Sequence, residues 1–211
     1  MPINTGAVGR YAHSTINMFN IVIFGAPGSG KGTQSDKIIE RYGLMHVSSG
    51  DLLRDHIAHD TQLGRIADSY ISQGYLIPDE LMIRILLDHL ERNEERARKG
   101  LILDGFPRTV SQAIEFDKIT HEHKVKIDAV IGLEANDEEL IRRLLKRGID
   151  SGRTDDNLEV INRRLRVYHD QTAPLRDYYI NEGIYCPING EGSVDDIFKA
   201  IAHEIDIRMH D

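Results

Sequence analysis

Asn20 to Gln34, N-I-V-I-F-G-A-P-G-S-G-K-G-T-Q, limits what this chain can become more tightly than any other stretch. Ile21 to Phe24 is a short apolar run that fits a buried parallel strand. It breaks into Gly25, Gly28, Gly30 and Gly32, with Lys31 and Thr33 at the mouth of a helix. Glycines here let the backbone take left-handed angles and turn several N–H groups toward one point, and the helix start adds its own unpaired N–H groups and dipole. The result is a phosphate cradle, Gly28-Ser29-Gly30-Lys31-Gly32-Thr33, in which Lys31 supplies a point charge. The general motif has a hydroxyl residue directly after the lysine; here Gly32 intervenes and Thr33 carries it. A glycine-rich turn that holds no nucleotide is the plainer reading, and strand, spacing and lysine in one run weigh against it.

At 211 residues the chain can bury a proper core as a single domain with small insertions. No window is long and apolar enough to span a bilayer, and the first seventeen residues lack the apolar centre of a secretory signal. With the single cysteine Cys186, no disulfide can close within the chain, and a cytoplasmic place is expected. Residues 1–17 read as a disordered extension or tag remnant whose removal should leave activity intact. The formal net charge of −8 argues against general affinity for nucleic acid or anionic membrane. Against that background Arg142, Arg143, Arg147, Arg153, Arg163 and Arg164 gather in one short span. They suit compact polyanions, although most charge runs are solvated helix faces.

In chain order, Gln34 to Tyr42 reads as a helix closed by Gly43, and Leu44 to Val47 as a strand, completing a βαβ unit. Ser48 to Asp55 starts a helical pattern that runs to Tyr70 and ends in the turn Gly74 to Pro78. Arg54 lies near that helix start, where a cation opposes the dipole, so it either reaches an anion or makes a weak surface pair. One scaffold helix is expected from Asp79 to about Lys99. The next strand, Leu101 onward, puts Asp104 at its carboxyl end, where open α/β sheets bind ligands and where a carboxylate can hold the water shell of Mg²⁺ or simply cap a turn. Arg108 follows after Gly105, Phe106 and Pro107, and Gln112 opens a helix. A fourth strand, Ile127 to Leu133, precedes a helix Asp137 to Lys146, on which Arg143 shares a face with Arg147. Gly148 to Asn157, with Arg153, Asp155 and Asp156, reads as an exposed mobile loop. A helix from Leu158 to Asn181 carries Arg164 and should kink or break at Pro174. A last strand, Ile184 to Ile188, and a helix capped by Ser193 finish the chain. Cys186 is expected in the core, and the ten histidines mostly on the surface.

The set G-A-P-G-S-G-K-G-T-Q, S-S-G-D-L-L-R, D-G-F-P-R-T-V-S-Q-A, R-L-L-K-R-G-I-D-S-G-R-T-D-D-N and R-R-L-R-V-Y resembles the adenylate kinases, and the likeness runs from Met18 to the C-terminus. It implies an α/β fold with a five-stranded parallel sheet of the P-loop kinase type. The core would be 18–47, 78–147 and 158–211, with an AMP-binding insertion 48–77 and a short lid 148–157. It implies the reaction MgATP + AMP ⇌ 2 ADP, with ATP, AMP and ADP as partners, and a monomer. Gly28 to Thr33 would wrap the ATP phosphates, with Lys31 following the γ-phosphoryl, Arg143 facing ATP and Gly192 offering backbone to its base. Ser49, where the family more often has Thr, would lie near the AMP ribose or adenine, and Arg54 and Arg108 would hold the AMP phosphate. Gly105, Phe106 and Pro107 would belong to the same AMP site. The backbone of Tyr75, Leu76 and Ile77 would meet the adenine, and the Gln112 amide would read its exocyclic amine and ring nitrogen. Arg147, Arg153 and Arg164 would close on the phosphoryl in flight, and Asp104 would order the Mg²⁺ waters. Relatives with a long lid often bind zinc through cysteines; no cysteine stands in this lid, so no zinc is expected. A UMP/CMP kinase shares fold, cradle and short lid, and Gln112 favours adenine over it. A non-catalytic nucleotide-binding relative would have lost Lys31, Arg108 or the lid arginines, and all are present.

Overall fold

A computed structural model describes residues 18–122 and 126–210. The reading of residues 1–17 as an extension lies outside the described residues. Five parallel strands form one sheet in the order β2-β3-β1-β4-β5, with β1 at Ile21–Gly25, β2 at Met45–Ser48, β3 at Leu101–Asp104, β4 at Ala129–Glu134 and β5 at Tyr185–Asn189. The three inner strands, β3, β1 and β4, are buried on both faces because helices cover both, whereas the edge strands β2 and β5 alternate buried with more exposed residues. The side-chain period of two sorts them. Val22 and Phe24 of β1, with Leu101 and Leu103 of β3, join one core cluster; Ile21, Ile23 and Ile102 join the other.

The first cluster is filled from α4 (Asp79–Arg92), α6 (Val110–Glu122) and α9 (Leu175–Asn181) by Met82, Leu86, Leu90, Phe116 and Tyr179. On the other face, α1 (Lys31–Tyr42) supplies Ile38 and α10 (Val194–His210) supplies Ile197, Ile201 and Ile205. Cys186 is 1 % exposed in this second cluster, as expected of a small core residue. After β1 the chain goes first to one side, to β2 and β3, and then to the other, to β4 and β5. The carboxyl end of β1 therefore sits where the strand order reverses, and a crevice opens there.

Several boundaries depart from the sequence reading. The helical stretch after Ser48 is two helices, α2 (Ser49–Ala58) and α3 (Gln62–Ile71), because Asp60 takes a positive φ of 45° and Thr61 starts a new helix by accepting from the Gly64 N–H. The scaffold helix ends at Arg92, and a short α5 (Glu94–Ala97) follows the break at Asn93. The helix begun at Asp137 does not stop at Lys146: α7 (Asp137–Ser151) runs on until Gly152 closes it in the left-handed conformation, so residues 148–151 of the expected loop are helix. Pro174 does interrupt the long helix. α8 (Leu158–Val167) passes into a π-helical turn, Tyr168–Thr172, and α9 begins after the proline. Besides Thr61, four residues cap helices by accepting from backbone N–H groups three residues on, Ser48, Asn136, Asn157 and Ser193, and of these the sequence pointed to Ser193 alone.

Candidate active site

A cleft of about 490 Å³ opens over the carboxyl ends of β1 and β3. Seven cationic side chains, Lys31, Arg54, Arg108, Arg143, Arg147, Arg153 and Arg164, line it against the three carboxylates of Asp51, Asp104 and Asp155. In a chain whose formal net charge is −8, that local excess of positive charge marks a place for a polyanion.

The cradle forms its floor. Gly28 and Gly30 have φ of 85° and 99°, which an L side chain would adopt only under strain. A Cβ on Gly28 would also come within 2.9 Å of the Leu140 carbonyl and the Leu144 side chain. The loop is thus seated on a third apolar cluster, in which Ala26 meets Leu140 and Leu144 of α7 and Ile161 and Leu165 of α8. This packing brings the arginines of α7 and α8 above the cradle. Because α1 begins at Lys31, the N–H groups of Lys31, Gly32 and Thr33 belong to its first turn and are directed at the cleft end of the helix. The Lys31 ammonium donates to the carbonyls of Gly25 at 2.8 Å and Ala26 at 3.0 Å. Burial lowers its pKa to about 8; Asp104 opposes that shift, and Arg108, Arg164 and Arg147 add to it.

Asp104 ends β3 beside Ile23 of β1 and Ser48 of β2, and its side chain is 13 % exposed. Sequence reasoning missed its neighbour. His46 of β2, which the sequence does not set apart from the mostly surface histidines, lies with Nε2 at 3.7 Å from the Asp104 carboxylate. Nothing short of the strand pairing, which sets Ser48 beside Asp104, would have brought the two together. Among the described residues no group of three or more His, Cys, Asp and Glu is gathered as a metal site. The hard carboxylate of Asp104, with Thr33 also lining the cleft, suits an ion that keeps most of its waters.

On the other side Ser49 is buried, and its hydroxyl donates to the Gly105 carbonyl at 2.6 Å. Arg108 donates from Nε to the same carbonyl at 2.7 Å and from Nη2 to the Ser49 hydroxyl at 3.4 Å. These bonds fix the guanidinium in the cleft, where burial, then Arg164, lower its pKa to about 10 and leave it charged. Arg54 forms an ion pair with Asp51 one helical turn before it. Tyr75, Leu76 and Ile77 line the cleft, with the Tyr75 ring under the Arg163 guanidinium at 5.5 Å. Gln112 is 2 % exposed, and its amide oxygen accepts from the Arg108 N–H at 2.7 Å.

The segment after α7 corrects the reading as an exposed loop. Asp155 and Asp156 are buried, at 8 % and 5 %. Arg147 donates to both oxygens of Asp156 at 2.6 and 2.8 Å, and Arg164 donates to Asp155 at 2.7 Å and to Asp156 at 2.8 Å. The spacing of like-signed residues hid this pairing, because the partners lie eight and nine positions apart on separate elements. Burial pushes the Asp156 carboxyl up, but Arg147 and then Arg164 outweigh it and hold it below the ordinary range. Arg153 lines the same cleft, its pKa lowered by burial and by the charges of Arg54 and Arg147.

Arg143 stands at the edge, donating to Glu139 at 2.6 Å and to the Gly190 carbonyl at 3.0 Å; hydrogen bonds from Arg142 and Arg143 hold the Glu139 carboxyl down to about 2. Three of the expected residues do not line the cleft as described. Gly192 lies past it, exposed, on the turn Arg143 touches. Ser29 is buried beneath the loop, its hydroxyl without a protein partner. Phe106 is a core residue packed edge-on against Phe116 at 5.2 Å between ring centres.

A family model described as adenylate kinase matches residues 23–184. The adenylate kinase of Bacteroides thetaiotaomicron is 53 % identical over 189 residues, which cover 90 % of this chain and 99 % of the relative. That of Parabacteroides distasonis is 50 % identical over 188 residues, 89 % of this chain and 98 % of the relative. That of Porphyromonas gingivalis is 44 % identical over 189 residues, 90 % of this chain and 96 % of the relative.

Proposed function

The chain belongs to the adenylate kinase family, and from that premise we propose that it carries the terminal phosphoryl group of MgATP to AMP, giving two ADP, with the roles divided along the cleft as follows. The cradle Gly28 to Thr33 and Lys31 hold the ATP phosphates, and Arg143 with the turn at Gly192 meets the rest of that nucleotide. Arg54 and Arg108 hold the AMP phosphate, while the backbone of Tyr75 to Ile77 and the amide of Gln112 face its base. Arg147, Arg153 and Arg164 line the path between the two phosphates. One observation supports this division above the others: Lys31, Arg108 and the arginines of α7 and α8 face a single cleft from different elements.

Phosphoryl transfer asks the protein for alignment and for neutral balance on the equatorial oxygens, not for a covalent intermediate. Arginine's planar fork serves this better than a point charge, since it binds two oxygens at once. Asp104 would hold Mg²⁺ through its waters, and the ion, when bound, would share the phosphate charge. Zinc has no part in this reading. Arg147 and Arg164 rest on Asp155 and Asp156, so they are already aimed and partly neutralised before a phosphate arrives.

The segments 48–77 and 148–157 are taken as the parts that move on the core, excluding water from the transfer. The chain would act as a monomer in the cytoplasm, on the free nucleotide pool. No helix of the described residues is long and apolar enough to cross a membrane. The test is ADP production from MgATP with AMP, CMP, UMP and GMP each as acceptor. Strong preference for AMP is expected. Preference for CMP or UMP would move the acceptor assignment to pyrimidines, and no transfer to any acceptor would end the catalytic reading.

A further inference from the structure

Gln112 faces the cleft, yet both polar atoms of its amide already have protein partners. Oε1 accepts from the Arg108 N–H at 2.7 Å, and Nε2 donates to Oδ1 of Asp79 at 2.7 Å. Each partner works in one direction only, because a backbone N–H donates and a carboxylate oxygen accepts. Turning the amide over would set N–H₂ against N–H and oxygen against carboxylate, so its orientation is decided by its neighbours. Asp79 is itself fastened: its other oxygen accepts from the hydroxyls of Thr109, at 3.0 Å, and Ser111. It is the first residue of α4, directly after the turn Gly74 to Pro78, so it ties the backbone on one side of the base pocket to the amide on the other.

The two bonds use one lone pair of the Gln112 oxygen and one hydrogen of its nitrogen, which leaves one acceptor and one donor, in fixed order, for a ligand. A 6-aminopurine offers the complement, an amino hydrogen beside a bare ring nitrogen. A 6-oxopurine offers an oxygen beside N1–H, or beside N7, and meets acceptor with acceptor. Only an overturned amide would match its N1 edge. We propose that Asp79 is a positioning residue for acceptor specificity: by locking the Gln112 amide it makes the site take a 6-aminopurine monophosphate and refuse the 6-oxo analogue. The inference rests on the reading that Gln112 faces the acceptor base. A site built to bond particular polar groups rejects an analogue that leaves them unpaired far more strongly than an apolar pocket does.

IMP is the probe, since it differs from AMP only at position 6 and in the hydrogen on N1. With saturating MgATP, kcat/KM is measured for AMP and for IMP in the parent, Asp79→Ala and Asp79→Asn. The asparagine can still accept from Gln112 with its oxygen and donate to the two hydroxyls. Asp79→Ala should narrow the AMP:IMP ratio by about tenfold, with the KM for ATP unchanged, and Asp79→Asn should restore most of it. A parallel loss on both acceptors, with the ratio kept, would mean that Asp79 only supports α4 and would overturn the inference. If Asp79→Ala does not fold, Ser111→Ala decides: it loosens Asp79 from the exposed side and should narrow the ratio in the same sense, an unchanged ratio overturning the proposal. A parent that shows no preference for AMP over IMP would instead overturn the reading of Gln112 and this inference with it. A parental preference that Asp79→Ala leaves intact would remove this inference alone.

Discussion

Lys31 carries a charge that depends on pH within the working range. Its pKa in the free protein is lowered to about 8, first by burial, so between about 8 and the ordinary lysine value the unfolded chain binds more protons than the folded one. By linkage, its contribution to stability rises with pH across that window. Its contribution to binding runs the other way. A polyphosphate favours the ammonium, so nucleotide binding near pH 8 should take up part of a proton, and affinity should fall as pH climbs above 8. Calorimetry of ATP binding in two buffers of different ionisation enthalpy checks this; equal heats in both buffers, or the same uptake in Lys31→Met, would contradict it. Arg108 makes the second case. If Arg108 holds the AMP phosphate as proposed, losing that charge-assisted contact costs about 1.5–3 kcal/mol, so Arg108→Ala should lower kcat/KM for AMP by about tenfold to a hundredfold while the affinity for ATP largely survives. Equal loss on both substrates would show that Arg108 serves the wrong nucleotide in this account. Residue types and spacings in the sequence pointed to Lys31 and Arg108 directly. They did not point to Asp79, an ordinary helix-start acid whose importance comes from Gln112, thirty-three positions away.

Among the elements, α7 and α8 decide how the cationic side chains are held. Their apolar faces, Leu140 and Leu144 against Ile161 and Leu165, lie on the cradle itself, so the helical spacing that reads as core packing also aims Arg147 and Arg164. The carboxylate of Asp156, with no side-chain exposure, binds both. Asp156→Ala would leave two guanidinium groups without their shared partner and should destabilise the protein by about 1.5–3 kcal/mol, less than for a fully buried pair because Arg147 is about a third exposed. Urea unfolding at neutral pH measures this, and a change below about 0.5 kcal/mol would put the pair among the weak surface bridges. The sign in acid follows. Since the folded Asp156 carboxyl lies below its ordinary value of 3.8, its stabilisation is complete above the ordinary range and is lost as pH falls through the lowered value. The parent should therefore lose stability more steeply than Asp156→Ala below about pH 4. The sequence showed glycines and charges in 148–157 and no apolar anchor, which reads as open loop. What ordered it was a pair of arginines on two other elements, and no local pattern records such a pairing.

Over the whole molecule, the cleft is closed from three sides that meet only in the fold: the cradle after β1, the segment 48–77, and the segment after α7. The Gly74 turn already touches α8, since a Cβ there would come within 3.1 Å of the Arg164 side chain and 3.3 Å of Val160. If both segments close on paired nucleotides, amide exchange in 48–77 and 148–157 should slow most when ATP and AMP analogues are present together, and less with either alone. Equal protection by one nucleotide would separate closure from pairing. The sequence by itself determined the parallel sheet, the cradle, the cationic residues and the family likeness. Each of these rests on local chemistry: apolar runs for strands buried on both faces, glycines for left-handed turns, and fixed spacings that bring a charge to a helix start. Only the tertiary structure decided which charges are neutralised, where α7 ends, that His46 lies beside Asp104 and that Asp79 orients Gln112. Those outcomes depend on groups distant in sequence sharing one low-dielectric space, where a hydrogen bond or a charge gains its strength from the neighbours that exclude water.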